Sequence, residues 1–361
     1  MRVATILGTR PELIRLSRIL PLLDRLLGDR HQVLHTGQNY DPELDGNIRL
    51  EFGLRAPDVQ VEAGGRSFAG QLAALLPVVE GWLGRFLPDR FLVLGDTNSS
   101  LGALVAARMG VPVYHLEAGN RCHGPESPEE VNRRAIDHTA TVHLCYSERA
   151  RTNLLAEGLP LARTFVVGNP LAEVIASDSW RDLEAPAKHG FQAGHYLLVT
   201  LHRQENVDDP ARLAAFMQAL NELCRSLGCP ALVSVHPRTR AKIESAGLGP
   251  WDRLQLSKPL SFTEFCSLQA TAKLVLSDSG TAPEECAILG RPLVVLRDYM
   301  ERQEILERGG CVLWTDRSPV SLPDAAAAVL GGGSGIVPPD HLPRPVAATV
   351  ARLLLSPVPP C

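Results

Sequence analysis

Short apolar runs alternate with stretches of helical periodicity along almost the whole chain. Residues 3–7, 33–35, 91–94, 113–116 and 165–167 carry the mostly apolar character of strands buried on both faces of a parallel sheet. Between the first two, Leu13, Ile14, Leu16, Ile19, Leu20, Leu23 and Leu27 recur at helical spacing, with Arg15, Arg18 and Arg25 on the opposite face. That spacing predicts a strand–helix–strand unit with one helix. The pattern pauses at Gly168-Asn169-Pro170 and through the polar stretch 177–194, then restarts with apolar runs at 196–201, 231–235, 274–276 and 292–296. The expected fold class is therefore α/β, with two Rossmann-like, doubly wound domains over 1–170 and 171–340. A glycine-rich loop at 331–335 precedes a last helix at 345–355, and residues 341–361 are expected to pack back on the first domain. No dinucleotide fingerprint and no fixed-period repeat is present. Two such domains in tandem are expected to hold a ligand in a cleft, at the carboxyl ends of their strands.

The unusual residues fall at those strand ends. GTRPE at 8–12 follows the first strand: Gly8 allows a close turn, Pro11 suits a helix start, and Arg10 can aim a two-pronged cation outward. GDTNSS at 95–100 follows the third, where Asp96 or Thr97 could cap a helix or Asp96 could serve acid–base work. HLEAGNRC at 115–122 closes the fourth, and its Glu117 sits where a strand should be buried, a costly place for a carboxylate without a partner or a task. PEEVNR at 128–133 opens a helix with two glutamates, which the helix dipole favours without any catalysis. In the second half, HRQEN at 202–206 and HPRTR at 236–240 end the first two strands, and Phe265 could cover a base or fill the core.

The most complete device is residues 273–302. An apolar strand at 274–276, a turn of small residues at 277–281 and a helix at 283–289 would present backbone N–H groups, hydroxyls and the positive end of a helix dipole to one point. An anion suits that point. Glu285 lies about one turn in, near enough to reach a sugar hydroxyl beside a phosphate, and Arg297 and Arg302 supply cations beyond the next strand. An ordinary strand-to-helix turn would share the pattern, and the Walker lysine is absent.

Composition narrows the partners. The 361 residues, 45% apolar and 21% charged, suffice for two cores. A net charge of -4 gives no bulk attraction to nucleic acid or anionic membranes, so neither is expected as a partner. Met1-Arg2 runs straight into an apolar strand and no apolar stretch has the length of a membrane span, so a cytoplasmic enzyme is expected. The eight cysteines form no Cys-x-x-Cys pair, which argues against zinc and against a disulfide framework. Most read as small buried hydrophobes, whereas Cys122 and the 122–127 loop stand out as pocket candidates.

Taken together, GTRPE at 8–12, GDTNS at 95–99, HLEAGNR at 115–121, PEEVNR at 128–133, LHRQEN at 201–206, SDSGTAPEE at 277–285 and LRDYMERQE at 296–304 resemble the non-hydrolysing UDP-N-acetylglucosamine 2-epimerases. HTGQNYD at 35–41 and EAGNRC at 117–122 look more like the branch acting on UDP-activated 6-deoxy-N-acetylhexosamines. The resemblance implies a glycosyltransferase-B-like fold, a homodimer, a UDP-sugar substrate, and neither cofactor nor metal. By position, it implies that Ser279, Gly280 and Thr281 form the diphosphate turn, Glu285 holds the ribose and Phe265 lies near the uracil. Arg10, His202 and Arg302 match residues that hold the phosphates, with His202 also counted as catalytic, and Asp96, Glu117 and Glu130 match the acid–base carboxylates. Arg15, Gln38, Arg121, Arg133, Arg203, His236 and Arg297 complete the expected substrate-binding set. Arg15 replaces a lysine and Gln204 a second arginine of the common enzymes, and Gln38-Asn39-Tyr40-Asp41 replaces their QHR motif at an activating second-substrate site.

The chemistry explains the residue types. C2 of such a sugar carries an N-acetyl group and no neighbouring carbonyl, so its proton is weakly acidic. Elimination of UDP as a base takes that proton gives a glycal, and re-addition with a proton delivered to the other face gives the epimer. This requires a proton acceptor and a proton donor, expected among Asp96, Glu117 and Glu130 in no fixed order, and preorganised charge for the leaving diphosphate. A hydrolysing epimerase would keep nearly every residue named. A glycosyltransferase of the same fold, or a nucleotide-sugar sensor, would have little use for three carboxylates.

Overall fold

The computed structural model describes residues 1–38, 42–122, 127–332, 335 and 337–358. In the first of two parallel sheets, β1 (Val3–Leu7), β2 (His31–His35), β3 (Val59–Gln60), β4 (Arg90–Leu94), β5 (Val113–Leu116), β6 (Val142–Cys145) and β7 (Thr164–Val166) lie in the order 3-2-1-4-5-6-7. In the second, β8 (Leu197–Thr200), β9 (Ala231–Ser234), β10 (Leu254–Ser257), β11 (Leu274–Ser277), β12 (Leu293–Val295) and β13 (Cys311–Leu313) lie in the order 10-9-8-11-12-13. Each order reverses beside its first strand, which creates a topological switch point between β1 and β4 and another between β8 and β11. The α/β class expected from the apolar pattern is the class observed.

Strand burial shows why the runs are apolar at successive positions. Leu197 and Val199 of β8 pack into one core with Phe216, Met217 and Trp314, while Leu198 between them packs into another with Leu268 and Val275. Successive residues point to opposite faces, and helices cover both. In the first sheet Ala4, Ile6, Phe91 and Val93 pack with Val79 and Trp82.

The chain divides into two compact units: Met1–Ala176 joined by the chain from Asp340 onward, and Ser177–Pro339. The first unit extends past the 168–170 pause because the helix Pro170–Ile175 buries Leu171, Ala172, Val174 and Ile175 and packs against the helix Arg10–Leu16. The last helix, Val346–Leu355, packs on the helix Ile19–Leu27 of the first unit. Its return is fastened by Ala347 N–H donating to Glu173 (2.8 Å) and by Asn169 Nδ2 against His341 Nδ1 (3.1 Å).

One helix expected after β1 is instead two, Arg10–Leu16 and Ile19–Leu27. Pro21 has no N–H to give the Ser17 carbonyl and would crowd it in a continuous helix, but fits the first turn of a new one. Among the described residues no helix is long and apolar enough to cross a membrane, and the described cysteines are buried and unpaired.

Candidate active site

In the first unit the motifs follow β2, β1, β4 and β5, consecutive neighbours in the sheet. Asp96 and Glu130 meet through Arg133: its Nη2 and Nε lie 2.5 and 3.1 Å from Asp96 Oδ2, and its Nη1 donates to Glu130 Oε2. Arg134 Nε holds the other Glu130 oxygen at 3.0 Å. The helix Pro128–Thr139 presents residues 130, 133 and 134 on one face, and its N-cap Ser127 accepts the Glu130 N–H at 3.1 Å. Asn132 Nδ2 ties the helix to the Asp96 carbonyl (3.0 Å). Cys122, buried, places its N–H and Sγ 3.4 and 3.5 Å from Glu130 Oε2, so it belongs to this group.

Glu117 stands just past β5 with φ of +73°, a left-handed backbone that residues bearing a side chain rarely adopt. Arg15 Nε lies 3.8 Å from its Oε2, and Tyr146 Oη and Asn120 Nδ2 donate to it at 3.3 Å each. The bend is locked from behind. Gly119 N–H donates to Asp137 Oδ2 (3.3 Å), Asn153 Nδ2 donates to the Gly119 carbonyl (2.9 Å), and a Cβ on Gly119 would stand 2.2 Å from the Ala150 carbonyl oxygen.

Asp137 is fully buried and accepts from His115 Nδ1 (2.8 Å) and Arg121 Nη1 (2.7 Å). Burial opposes its charge, but His115 and Arg121 together hold the carboxyl below its usual range. His115 Nε2 donates to the Gly95 carbonyl (2.9 Å), and Arg121 Nε and Nη2 grip Glu157 at 2.7 and 2.6 Å. Arg134 Nη1 reaches the same Glu157 at 3.7 Å. The contacts close a ring: Asp96, Arg133, Glu130, Arg134, Glu157, Arg121, Asp137, His115, and the Gly95 carbonyl adjoining Asp96. Arg121, expected among the substrate-binding residues, is directed into this ring, with Nε, Nη1 and Nη2 all engaged by protein groups.

Glu12, which the motif reading passed over, ties two of the loops together. It is 1% exposed; its Oε2 accepts from Gly8 N–H (2.9 Å), Thr9 N–H and Thr9 Oγ1 (2.8 Å each), and its Oε1 from Thr97 Oγ1 (3.0 Å). Burial pushes the carboxyl up to about 7 in spite of these donors. Arg10, half-buried, is the first residue of the helix that carries Glu12. Gln38 Oε1 accepts the N–H and Oγ of Ser99 at 3.0 Å each. Asn39, Tyr40, Asp41, residues 123–126 of the loop after Cys122 and the side chain of Gln204 lie outside the described residues.

In the second unit the corresponding neighbours are β9, β8, β11 and β12, and the centre is Asp278. This buried carboxylate accepts the N–H of His202 (2.9 Å) and of Arg203 (2.8 Å) and Nδ2 of Asn206 (3.2 Å), while His202 Nδ1 lies 3.0 Å from Oδ1. Burial works against both charges of the pair. Their attraction prevails, holding Asp278 below and His202 above its ordinary range. Arg203 Nε donates to the Asp278 carbonyl (2.9 Å), and its Nη2 lies 3.7 Å from where a Cβ on Gly280 would stand. The Ser279 and Thr281 hydroxyls are 3.1 Å apart, and the helix Ala282–Leu289 begins after Thr281 with no side-chain cap. The positive end of this helix's dipole lies beside the two hydroxyls, which suits an anion.

Glu285 is buried and accepts from Gln269 Nε2 (3.3 Å). The two arginines expected as cations come paired: Arg302 with buried Glu284, and Arg297 forked onto Glu301 (3.0 and 2.9 Å) over the Tyr299 ring. His236 caps the helix Pro237–Ser245, its Nδ1 accepting the Arg238 N–H (3.3 Å), and Phe265 packs at the edge of the core around Tyr196. Asp278 carried the same signal that marked Glu117, an acid closing an apolar strand.

A helix start without a side-chain cap beside paired hydroxyls in one doubly wound unit, and clustered carboxylates bridged by arginine in the other, define a two-domain nucleotide-sugar enzyme. The sequence model of the family described as UDP-N-acetylglucosamine 2-epimerase matches residues 26–336. The UDP-N-acetylglucosamine 2-epimerase of Methanocaldococcus jannaschii is 35% identical over 328 residues, covering 88% of this chain and 89% of that protein. The UDP-2,3-diacetamido-2,3-dideoxy-D-glucuronate 2-epimerase of Pseudomonas aeruginosa is 34% identical over 316 residues, covering 87% and 88%. The crystal structure of the M. jannaschii epimerase in complex with UDP-GlcNAc and UDP matches with a TM-score of 0.88 and 31% identity, over 98% of this chain and 99% of that one. The chain belongs to the UDP-N-acetylglucosamine 2-epimerase family, and it is an isomerase of that type.

Proposed function

We propose that this enzyme inverts C2 of a UDP-2-acetamido sugar, UDP-N-acetylglucosamine or a derivative such as its 6-deoxy analogue, by eliminating UDP to a glycal and adding it back. The observation that carries this reading is the meeting of Asp96 and Glu130 on Arg133, with Glu117 turned out of its strand in a left-handed bend. A glycosyltransferase of the same fold has no need of that group. Arg133 and Arg15 let carboxylates stand close without mutual repulsion, and one takes the C2 proton while another returns a proton to the opposite face.

The second unit supplies the nucleotide contacts. Ser279, Thr281 and the positive end of the helix Ala282–Leu289 receive the diphosphate, Arg203 and His202 add donors, and Glu285 meets the ribose. Arg10 and Gln38 serve the sugar or its phosphate from the first unit. Phe265 flanks the uracil, and Arg297, Arg302 and His236 shape the rim of the nucleotide site. The working enzyme is a homodimer of the cytoplasm, where buried, unpaired cysteines stay reduced. The Pseudomonas relative's name carries a second acetamido group at C3 and an oxidised C6, so the substrate panel should vary both positions.

Turnover in deuterium oxide tests the reading. Deuterium is expected at C2 of a sugar still bonded to UDP. Release of free sugar would assign hydrolysis instead, and a C2 that stays protonated with every UDP-N-acetylhexosamine offered would end the epimerase assignment.

A further inference from the structure

We propose that Asp278 is a positioning residue of the reaction: it seats His202 by Nδ1, so that Nε2 on the opposite edge presents an N–H to the diphosphate oxygen that leaves C1 and later returns. This rests on the elimination chemistry above. His202 Nδ1 is 3.0 Å from Asp278 Oδ1, and a carboxylate only accepts, so the pairing fixes a proton on Nδ1. The same carboxylate takes the backbone N–H groups of His202 and Arg203 and the amide of Asn206, which also donates to the Leu296 carbonyl (3.1 Å). Backbone position and ring orientation are therefore set by one buried group. The carboxylate is fully buried while the imidazole is 50% exposed, so the ring turns its inner edge to Asp278 and its outer edge away from the fold.

The charged groups facing His202 are Asp278 from the end of β11, Arg203 on its own turn and Arg297 from the end of β12. The two arginines and the loss of water lower its proton affinity. Asp278 outweighs them and raises it, which favours the ring with a proton on both nitrogens. In the elimination the C1–O electron pair goes to the diphosphate oxygen, the C2–H pair becomes the C1=C2 bond, and the base holds the C2 proton. His202 gives up no proton; its Nε2–H meets the charge that grows on the departing oxygen and releases it on re-addition.

The test uses the full-length enzyme and its Asp278→Asn, Asp278→Glu, His202→Gln and combined Asp278→Asn/His202→Gln variants. The His202 ring signal is followed against pH by NMR and assigned by its loss in His202→Gln; kcat, KM and UDP affinity are measured from pH 5.5 to 9. Asp278→Asn is expected to lower the His202 midpoint by about one pH unit, to drag the alkaline limb of kcat with it, and to cost up to about tenfold at pH 8 but far less at pH 6. In the His202→Gln background the same change is expected to cost less than about threefold, and Asp278→Glu recovers part of the midpoint. A loss that is equal at every pH with the midpoint unmoved, or undiminished without His202, overturns the proposal. Should Asp278→Asn fail to fold, the wild-type midpoint decides: a value at or below that of an ordinary histidine overturns it. A wild type that puts no deuterium into C2 sinks the epimerase reading alone, because the His202 midpoint and UDP affinity are read independently of turnover.

Discussion

Replacing Glu12 by glutamine should make the enzyme more stable above neutral pH. Glu12 is sealed between the loops after β1 and β4, and burial lifts its carboxyl from 4.5 to about 7. Between those values the unfolded chain has released the proton while the folded chain still holds it. Stability therefore falls as pH rises through that window, and below 4.5 the difference vanishes because both states are protonated. At 1.36 kcal/mol per unit, the fall from pH 5 to pH 8 is about 2 to 3 kcal/mol. The amide copies the neutral acid: its oxygen accepts from Gly8 and Thr9, its nitrogen donates to the Thr97 hydroxyl, and it does not titrate. Urea unfolding of wild type and Glu12→Gln at fixed ionic strength should give similar stabilities near pH 5 and a gap of about 2 to 3 kcal/mol in favour of the variant at pH 8. Curves that stay parallel from pH 5 to 8, or a variant that gains toward acid, would refute the argument.

Asp96→Asn and Glu117→Gln should each remove more than about 99% of C2 deuterium exchange while changing UDP affinity less than about threefold, by calorimetry; lost UDP binding would make them structural. Gly119→Ala should cost upwards of about 2 kcal/mol in thermal or urea unfolding, since a Cβ meets the Ala150 carbonyl at 2.2 Å on a backbone at φ +86°. Gly280→Ala should leave stability within about 0.5 kcal/mol, because its Cβ makes an ordinary 3.7 Å contact with Arg203, yet weaken UDP binding about tenfold by narrowing the approach to the turn. Unchanged UDP affinity in that variant would move the diphosphate elsewhere.

Much of the framework was legible because β1 and β5 are buried on both faces, and their apolar runs coincide with the observed strands Val3–Leu7 and Val113–Leu116. Four strands escaped the pattern for separate reasons. β3 has only two residues, and β10 and β13 are edge strands whose Leu254, Leu256, Val312 and Leu313 are half-buried. β6 carries His143, whose Nε2 is satisfied by the Asp137 carbonyl (2.7 Å), a partner that no local pattern reveals. Among the candidate site residues, Asp96, Glu117, Ser279 and Thr281 stand out in the sequence by their places at strand ends. Asp137 and Glu157 were not: each lies in a charge-rich helical stretch that reads as a solvated face. Asp137 becomes interior only through His115 and Arg121 from earlier in the chain. Glu12 forms a capping box with Thr9, a local role that gives no hint of its tie to Thr97.

The ring around the carboxylates has a property that a linear chain of contacts lacks. One cut in a cycle leaves every member joined to every other by the longer way round, whereas two cuts isolate an arc. Single replacements at opposite sides, such as Arg134 and His115, should therefore cost less separately than their combination predicts. The cuts are also unequal. Arg134 is 50% exposed and reaches Glu157 across 3.7 Å, while the arc from Arg121 through Asp137 to His115 is shielded from water. Mobile ions screen the first and scarcely touch the second. Rising ionic strength thus opens the ring at one known link, loosening Glu130 from Glu157 while the strut behind the Glu117 bend stays closed.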